Sequence, residues 1–412
     1  MIPVELSLMS ATPTAVTPSR CLRQRNYASE CKYCLDACPI NAVKLDQRAP
    51  SVDVDRCYGC GLCLVVCPVE CFETGDWSER SVVSALAHVG WPVVELACKS
   101  HPAPAVGNEA SPVIQINTCL GAISPGLWFE IGLEYTVKIR LENCPLCPMK
   151  KGASYACQAV ELANSWLKSC GGAITPEGSI LIQEVWDDPD ESRSRVVISA
   201  ERPIISRRDF LFGFARSSGP ADLALKKLPM ESTVEGPDHK VAPHLPAWLC
   251  RMSAIFPVDE TNHSDDGCSK TPEEICIHWP TLSIADDCAA CRACSINCPS
   301  GALLTEVIDG QYQHLFTPGS CVACGLCAQV CPTEALSRSY RSDKRPFEER
   351  IVAERKVEPC RKCGSPSLRK SDQLCFCCAN EPKIASVLDS ARSNLFIPDA
   401  HHKQGLLFHS SG

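Results

Sequence analysis

Two nearly identical cysteine runs lie between residues 288 and 331. Each has the spacing C-x2-C-x2-C-x3-C followed by proline, and together they comprise Cys288, Cys291, Cys294, Cys298, Cys321, Cys324, Cys327 and Cys331. Three thiolates at this spacing can wrap one face of an iron–sulfur cube, while the fourth, beside the proline, ligates another cube. Zinc sites use paired rather than triple-plus-one spacings, so these residues indicate two [4Fe-4S] clusters.

The pair of runs resembles the bacterial two-cluster ferredoxins over residues 283–340. The resemblance implies a crossed pattern of ligation. One cluster would be held by Cys288, Cys291, Cys294 and Cys331, and the other by Cys321, Cys324, Cys327 and Cys298.

An earlier copy of the pattern occupies residues 21–76 and has one vacant ligand position. Its cysteines are Cys31, Cys34, Cys38, Cys57, Cys60, Cys63 and Cys67, and Ala28 stands where a regular run has its first cysteine. By the same resemblance, the complete site consists of Cys38, Cys57, Cys60 and Cys63. The other site needs a fourth ligand, for which we predict Cys21, with Cys71 as the alternative. A [3Fe-4S] cluster or an open iron is the third possibility.

Residues 77–200 predict an α/β domain with a parallel sheet. Short β-branched segments at 92–96, 112–116, 136–141 and 179–183 alternate with predicted helices at 79–89, 125–134 and 152–169. Cysteines follow three of these strands: Cys98, Cys119, and Cys144 with Cys147. Because ligands gather beyond the carboxyl ends of parallel strands, we expect the four thiols to form one further cluster site. Separate buried thiols are the alternative.

A second resemblance covers about 60 residues of this domain. The segment Cys119-Leu-Gly-Ala-Ile-Ser-Pro125, a helix and then Cys144-Pro-Leu-Cys147 resemble the small iron–sulfur subunit that links hydrogenase to heterodisulfide reductase in methanogens. The resemblance implies a [2Fe-2S] cluster and a role in relaying electrons. That family has Cys-x2-Cys after its first strand, whereas this chain has Cys98 and His101, so His101 is either a ligand or a side chain outside the site.

The segment 201–282 is rich in Asp, Ser and Pro and is predicted to be a linker with some local structure. It contains Ser206-Arg207-Arg208-Asp209-Phe210-Leu211, which matches the twin-arginine export signal but lies inside the chain and lacks a long apolar continuation. We therefore expect no export through it. Further on, residues 339–356 are predicted to be a charged helix or a connector.

Two Cys-x2-Cys pairs predict a zinc-ribbon-like element at residues 357–382. The pairs are Cys360 with Cys363 and Cys375 with Cys378, and eleven residues separate them. Four thiolates at this spacing are typical of a structural zinc site. Cys377 could replace Cys378, and a fifth iron–sulfur site or free thiols are the alternatives.

The 31 cysteines among 412 residues far exceed what packing requires, so most are expected to bind metal. The N-terminus shows no signal-peptide pattern that would favour disulfides, and we expect a cytoplasmic protein. No window approaches the ~18 apolar residues of a membrane span. A net charge of -8 argues against general nucleic-acid binding, which requires a basic face.

The expected fold is α+β and multidomain: two ferredoxin-like modules flank the α/β domain, and a small zinc-ribbon-like element follows. The sequence contains no phosphate loop, dinucleotide fingerprint or nucleophile motif. We therefore predict a non-catalytic electron-transfer subunit. It would relay electrons between a redox enzyme, such as a hydrogenase or formate dehydrogenase, and a partner reductase. A cluster-assembly or maturation factor and a redox sensor are the alternatives.

Overall fold

The computed structural model describes residues 14–46, 48–75, 77–100, 111–141, 143–169, 180–183, 196–200, 242–256, 278–343, 345–368 and 372–381. His101, the twin-arginine-like motif at 206–211 and most of the predicted linker lie outside these ranges. Within them, none of the helices combines the length and the apolar character needed to cross a lipid bilayer.

The N-terminal cysteine-rich segment contains two small antiparallel sheets. Its strands are β1 (Ala15–Val16), β2 (Val43–Asp46), β3 (Ala49–Val52) and β4 (Phe72–Glu73); β1 pairs with β4, and β2 pairs with β3. Its helices are α1 (Leu22–Arg25), α2 (Tyr33–Ala37) and α3 (Leu62–Val66). Helices α2 and α3 each end just before a Cys-Pro pair, because a residue that precedes proline is pushed into extended backbone.

A five-stranded parallel sheet follows, as the sequence predicted. Its strands are β5 (Val93–Cys98), β6 (Val113–Ile116), β7 (Thr136–Arg140), β8 (Ile180–Gln183) and β9 (Val197–Ser199), arranged in the order β8-β7-β5-β6-β9. All four pairings are parallel, so the carboxyl ends of the strands meet at one edge. Four of the strands lie at the predicted positions, and β9 is an addition to them.

Three helices flank this sheet at the predicted positions: α4 (Glu79–Val89), α5 (Pro125–Glu134) and α6 (Lys151–Ser169). The Ser78 side chain caps α4, which ends at Gly90 in the left-handed conformation with φ of 64°. Ser124 caps α5 by accepting a hydrogen bond from the Leu127 amide. Buried aromatic and aliphatic side chains, including Trp128 and Phe129, fill the core between helices and sheet.

Residues 242–256, at the end of the predicted linker, contact several parts of the fold. Helix α7 (Ala247–Ile255) packs against α5, and Arg251 forms ion pairs with Glu79 and Glu130. The first turn of α7 is capped by Glu70, whose Oε1 accepts from the Ala247 amide at 2.8 Å. These contacts attach α7 to both the N-terminal segment and the helices of the α/β sheet.

The second cysteine-rich segment repeats the pairing of the first. Its strands are β10 (His278–Ile284), β11 (Leu303–Ile308), β12 (Gln311–Phe316) and β13 (Leu336–Ser342). Strand β10 pairs with β13, and β11 pairs with β12, all antiparallel. Two short helices lie between these strands, α8 (Ala293–Ile296) and α9 (Leu326–Gln329).

The prediction of a charged helix or a connector at residues 339–356 is wrong. Strand β13 covers the first part of this stretch, and β14 (Arg350–Lys356) pairs with β12 as the third strand of its sheet. Charged side chains on the exposed faces of these strands account for the polar composition that suggested a helix. The chain then forms β15 (Glu358–Pro359), β16 (Pro366–Ser367) and α10 (Phe376–Ala379).

Candidate metal centres

The cysteines of the two ferredoxin-like segments gather into four groups, which we name sites A to D. Site A contains Cys38, Cys57, Cys60 and Cys63, and site B contains Cys21, Cys31, Cys34 and Cys67. Site C contains Cys298, Cys321, Cys324 and Cys327, and site D contains Cys288, Cys291, Cys294 and Cys331. The structure thus brings together each set of four that was predicted from the sequence.

Burial and mutual repulsion oppose ionisation of these thiols. Desolvation, and then the neighbouring cysteines, raise the pKa of Cys34, Cys294 and Cys321 to about 12 and that of Cys60 to about 11. Four thiolates held in such surroundings require a compensating cation. An iron–sulfur cluster supplies iron cations and takes thiolate ligands, so these four donor sets fit that cofactor.

The backbone around three of the four sites curves in the left-handed conformation. The residues just before and after the middle cysteine of a run have positive φ, and they are Gly59, Gly61, Ala290, Arg292, Ala323 and Gly325. At site B, no residue between Ala28 and Cys34 has positive φ. Site B therefore departs from the regular pattern in its backbone as well as in its missing thiol.

Backbone amides donate to the sulfur of three of the Cys-Pro cysteines. The amide of the residue four positions later lies 3.2 Å from Cys38 Sγ and 3.3 Å from Cys331 Sγ. The same contact at Cys67 comes from the Cys71 amide at 3.2 Å. Such hydrogen bonds stabilise a thiolate, which is the form that binds metal.

Site B has a fifth cysteine. The Cys71 thiol interacts with Cys21 and Cys67, and its Sγ lies 3.2 Å from the Thr17 carbonyl oxygen. Its proximity lowers the pKa of Cys21 to about 6 and raises that of Cys71 itself. Both candidates for the fourth ligand are therefore close to the site, but Cys21 is the one whose surroundings favour the thiolate.

At the carboxyl edge of the parallel sheet, three of the predicted ligands lie near one another, and we name this group the central site. They are Cys98, Cys119 and Cys144. The pKa of Cys119 rises to about 12, first through burial and then through the thiols of Cys98, Cys60 and Cys144. Cys119 Sγ also lies directly against Gly152, where a Cβ would be only 2.2 Å away. Cys147 lies half-buried one turn after Cys144, whose carbonyl oxygen accepts from its amide at 3.0 Å.

The central site lies directly beside site A. The Cys119 amide donates to the Cys60 carbonyl oxygen at 3.2 Å. The residues that follow Cys60 and Cys119 are also closely packed, because a Cβ on Gly61 would be 2.7 Å from the Ala122 side chain. Sites A and B are likewise adjacent, since the charge of Cys34 is one of the causes that raise the pKa of Cys63.

The two ferredoxin-like segments meet between sites B and C. Asn26 Nδ2 donates to Asn297 Oδ1 at 2.9 Å, beside Cys298. Leu326 of the second segment is fully buried in the same apolar cluster as Cys21, and the half-buried Cys324 packs against this cluster. Within the second segment, the charge of Cys327 is one of the causes that raise the pKa of Cys294, so site C adjoins site D.

The cysteines of site D line a small cavity together with two rings from β12, those of Tyr312 and His314. His314 Nε2 lies 3.8 Å from Cys288 Sγ. Burial, and then the charge of Arg355, lower the pKa of His314 to about 4. This histidine was not identified from the sequence, where a lone histidine in a strand gives no ligand signal.

The C-terminal cysteines form a separate four-thiol site. The sulfur atoms of Cys360, Cys363, Cys375 and Cys378 all lie within 4.8 Å of one another. Such a closed set of four thiols suits a structural metal ion such as zinc. The element packs on site D, because Val357 and Leu368 contact Ala290 and Tyr312.

Replacing Cys378 with serine is expected to remove the metal of the four-thiol site, about one zinc per chain, because three thiolates and a hydroxyl form a weaker zinc site. The iron content should remain that of the unmodified chain. Cys377→Ser is the matched control, since this neighbouring cysteine is exposed and lies outside the set. Metal analysis of both variants checks the assignment; loss of iron in Cys378→Ser would make this element a cluster site.

Two family models match separate parts of the chain. Residues 28–77 match the LdpA Fe-S cluster-binding domain, and residues 315–337 match the 4Fe-4S binding domain. The first match covers the regular cysteines of sites A and B, and the second covers the run of site C together with Cys331.

Curated relatives are also of ferredoxin type. An uncharacterized ferredoxin of Methanocaldococcus jannaschii is 42% identical over 36 residues, which are 9% of this chain and 24% of that protein. The ferredoxin-type protein NapF of Haemophilus influenzae is 38% identical over 56 residues, 12% of this chain and 32% of that protein. The chain thus spans about a quarter to a third of the length of these relatives.

The matches and the thiol sites together define the class of protein. The chain is an iron–sulfur protein, and two of its segments resemble 4Fe-4S ferredoxins.

Proposed function

We propose that the chain relays electrons between a redox enzyme, such as a hydrogenase or formate dehydrogenase, and a partner reductase. The observation that carries this proposal is the contact of each cluster site with the next. The order is central site, A, B, C and D. Hydrogen bonds of Cys119 with Cys60 and of Asn26 with Asn297 join the central site to A and B to C. Electrostatic interactions of Cys34 with Cys63 and of Cys327 with Cys294 link A to B and C to D. Because electron tunnelling slows steeply with distance, an unbroken row of sites is what a relay requires.

Each site in this row holds an iron–sulfur cluster. Sites A to D hold [4Fe-4S] clusters, and the central site holds a further cluster with Cys98, Cys119, Cys144 and Cys147 as its candidate ligands. The resemblance of the central segment to the hydrogenase-linking subunit supports a [2Fe-2S] cluster there. Anaerobically loaded protein would then contain about 16 iron atoms in cubanes and about two to four in the central site.

Each part of the chain has its own role in the relay. Residues 21–76 and 283–340, which precede and follow the α/β domain at 77–200 in the sequence, act as ferredoxin modules that adjoin each other at sites B and C. The element at 357–382 holds zinc and covers the end of the row at site D, where Cys377 acts on Cys291. Electrons would enter and leave through partner proteins at the two ends of the row.

Delivering less than one electron per chain is expected to produce one dominant EPR signal in the intact holoprotein. Photoreduced deazaflavin can supply these electrons to dilute protein, so that exchange between molecules is slow. The electrons redistribute along the row to the site of highest potential. Removing site C with Cys324→Ala and Cys327→Ala interrupts the row. The EPR signal should then be divided between site D and the sites before the interruption, which are the central site, A and B.

Cys157→Ala is the control for this experiment, because Cys157 lies on α6 and belongs to none of the sites. It should behave as the unmodified chain. An intact protein in which the electrons stay divided among several clusters would contradict internal relay. It would favour separate clusters that serve assembly or sensing.

A further inference from the structure

Strand β12 holds a buried histidine against a ligand of site D. His314 is 1% exposed, and its Nε2 is the ring atom that faces Cys288 Sγ at 3.8 Å. Tyr312 fixes the ring from the side in an edge-to-face contact with centroids 4.9 Å apart. The imidazole therefore has a defined orientation toward the sulfur.

The position of the ring proton follows from the partners of the two nitrogens. Nδ1 is buried and has no hydrogen-bond partner among the residues that the structure describes. A buried N–H without an acceptor is costly, whereas a thiolate opposite Nε2 accepts a hydrogen bond. We therefore assign the proton to Nε2, from where it points to Cys288.

The internal repeat shows that this pair is specific to the second segment. In both segments the strand after the first Cys-Pro pairs with the strand before the next run, with Leu303 opposite Phe316 and Val43 opposite Val52. In this register His314 corresponds to Pro50, and Cys288 corresponds to Ala28. The first segment lacks both the donor and the acceptor, so the histidine occurs where a thiolate is present to receive its hydrogen bond.

We propose that the Nε2–H of His314 donates a hydrogen bond to the Cys288 thiolate and so raises the reduction potential of the cluster at site D. Reduction adds negative charge to a cluster and its sulfur ligands, and a hydrogen bond to the sulfur stabilises that charge. Site D is thereby the electron-accepting end of the row. This inference rests on the proposed function, in that site D holds a [4Fe-4S] cluster.

The test is a potentiometric EPR titration of the full-length holoprotein with His314→Phe and His314→Gln. Phenylalanine fills the space but cannot donate, so the ratio of reduced to oxidised cluster at site D should fall about tenfold at a fixed solution potential. That change equals 59 mV for a one-electron couple. Glutamine retains an N–H donor and should restore much of the ratio. The clusters at sites A to C serve as internal controls and should not change.

Several outcomes would overturn the inference. An unchanged ratio in His314→Phe would do so, and so would a fall in His314→Gln as large as that in His314→Phe, because packing rather than hydrogen bonding would then be responsible. His314→Met provides a second apolar variant. Loss of iron from site D in both apolar variants would make His314 necessary for cluster retention instead, which also overturns a tuning role.

Cys291→Ala separates failure of this inference from failure of the proposed function. This substitution should eliminate or alter one cluster signal. If no signal changes, site D holds no cluster and both proposals fail. If a signal is lost in Cys291→Ala but keeps its potential in His314→Phe, only the role of the histidine is wrong.

Discussion

Gly152→Ala is expected to remove the cluster proposed for the central site and to leave the four proposed cubanes in place. A Cβ at this position would lie 2.2 Å from Cys119 Sγ, far inside any van der Waals contact. The methyl group must displace either the thiol or the first turn of α6. Either movement separates Cys119 from Cys98 and Cys144, and a cluster site that loses its ligand geometry does not retain its metal. Iron analysis should show the loss of about two to four iron atoms, and EPR should show the loss of one signal.

Gln158→Ala is the matched control for this glycine substitution. Gln158 lies on the same helix but is exposed, so its replacement should leave every signal intact. Cys119→Ser should reproduce the effect of Gly152→Ala. A central signal that survives both Gly152→Ala and Cys119→Ser would show that Cys119 is a packing residue.

Cys21→Ser is expected to convert the [4Fe-4S] cluster proposed for site B to a [3Fe-4S] form even without exposure to air. Ala28 cannot supply the fourth ligand, and Cys21 is the nearby cysteine whose pKa is lowered, to about 6, by the Cys71 thiol. A cubane with only three thiolate ligands readily loses its unligated iron. The [3Fe-4S] signal should account for about one cluster per chain, while the signals of sites A, C and D persist.

Cys71→Ser is the matched comparison, because Cys71 is buried beside the same sulfur atoms. Its pKa is raised, so we expect it to remain a thiol and the variant to retain a [4Fe-4S] cluster at site B. If Cys71→Ser produces the signal and Cys21→Ser does not, Cys71 is the fourth ligand. If neither variant changes the spectrum, site B has an open iron, and a sensing role becomes the better explanation of its irregular pattern.

A truncation that removes the four-thiol site has to leave strand β14 in place. Strand β14 is hydrogen-bonded to β12, the strand that carries His314. A truncation placed before β14 would therefore disturb site D as well as the four-thiol site. Point substitutions in the four-thiol site avoid this problem.

The sequence by itself determined which cysteines group together, because ligand spacing is local. Runs such as Cys321, Cys324 and Cys327 keep three thiols on one side of a short turn, whatever the rest of the chain does. The parallel sheet was predictable for a similar reason, since short apolar strands alternate with helices in residues 77–200. The vacancy at Ala28 was also visible, and the structure brings the predicted substitute, Cys21, to the site.

Only the tertiary structure decided how the sites are arranged relative to one another. The junction of sites B and C depends on Asn26 and Asn297, which are 271 positions apart, and no periodicity or spacing connects two such residues. Residues 242–256 lie within the stretch predicted to be a linker, yet α7 packs against α5, and Leu249 and Met252 are fully buried there. The role of His314 likewise arises from the pairing of β12, which turns one ring toward Cys288. Ligand sets follow from short-range geometry, whereas the continuity of the row follows from side-chain packing between distant segments.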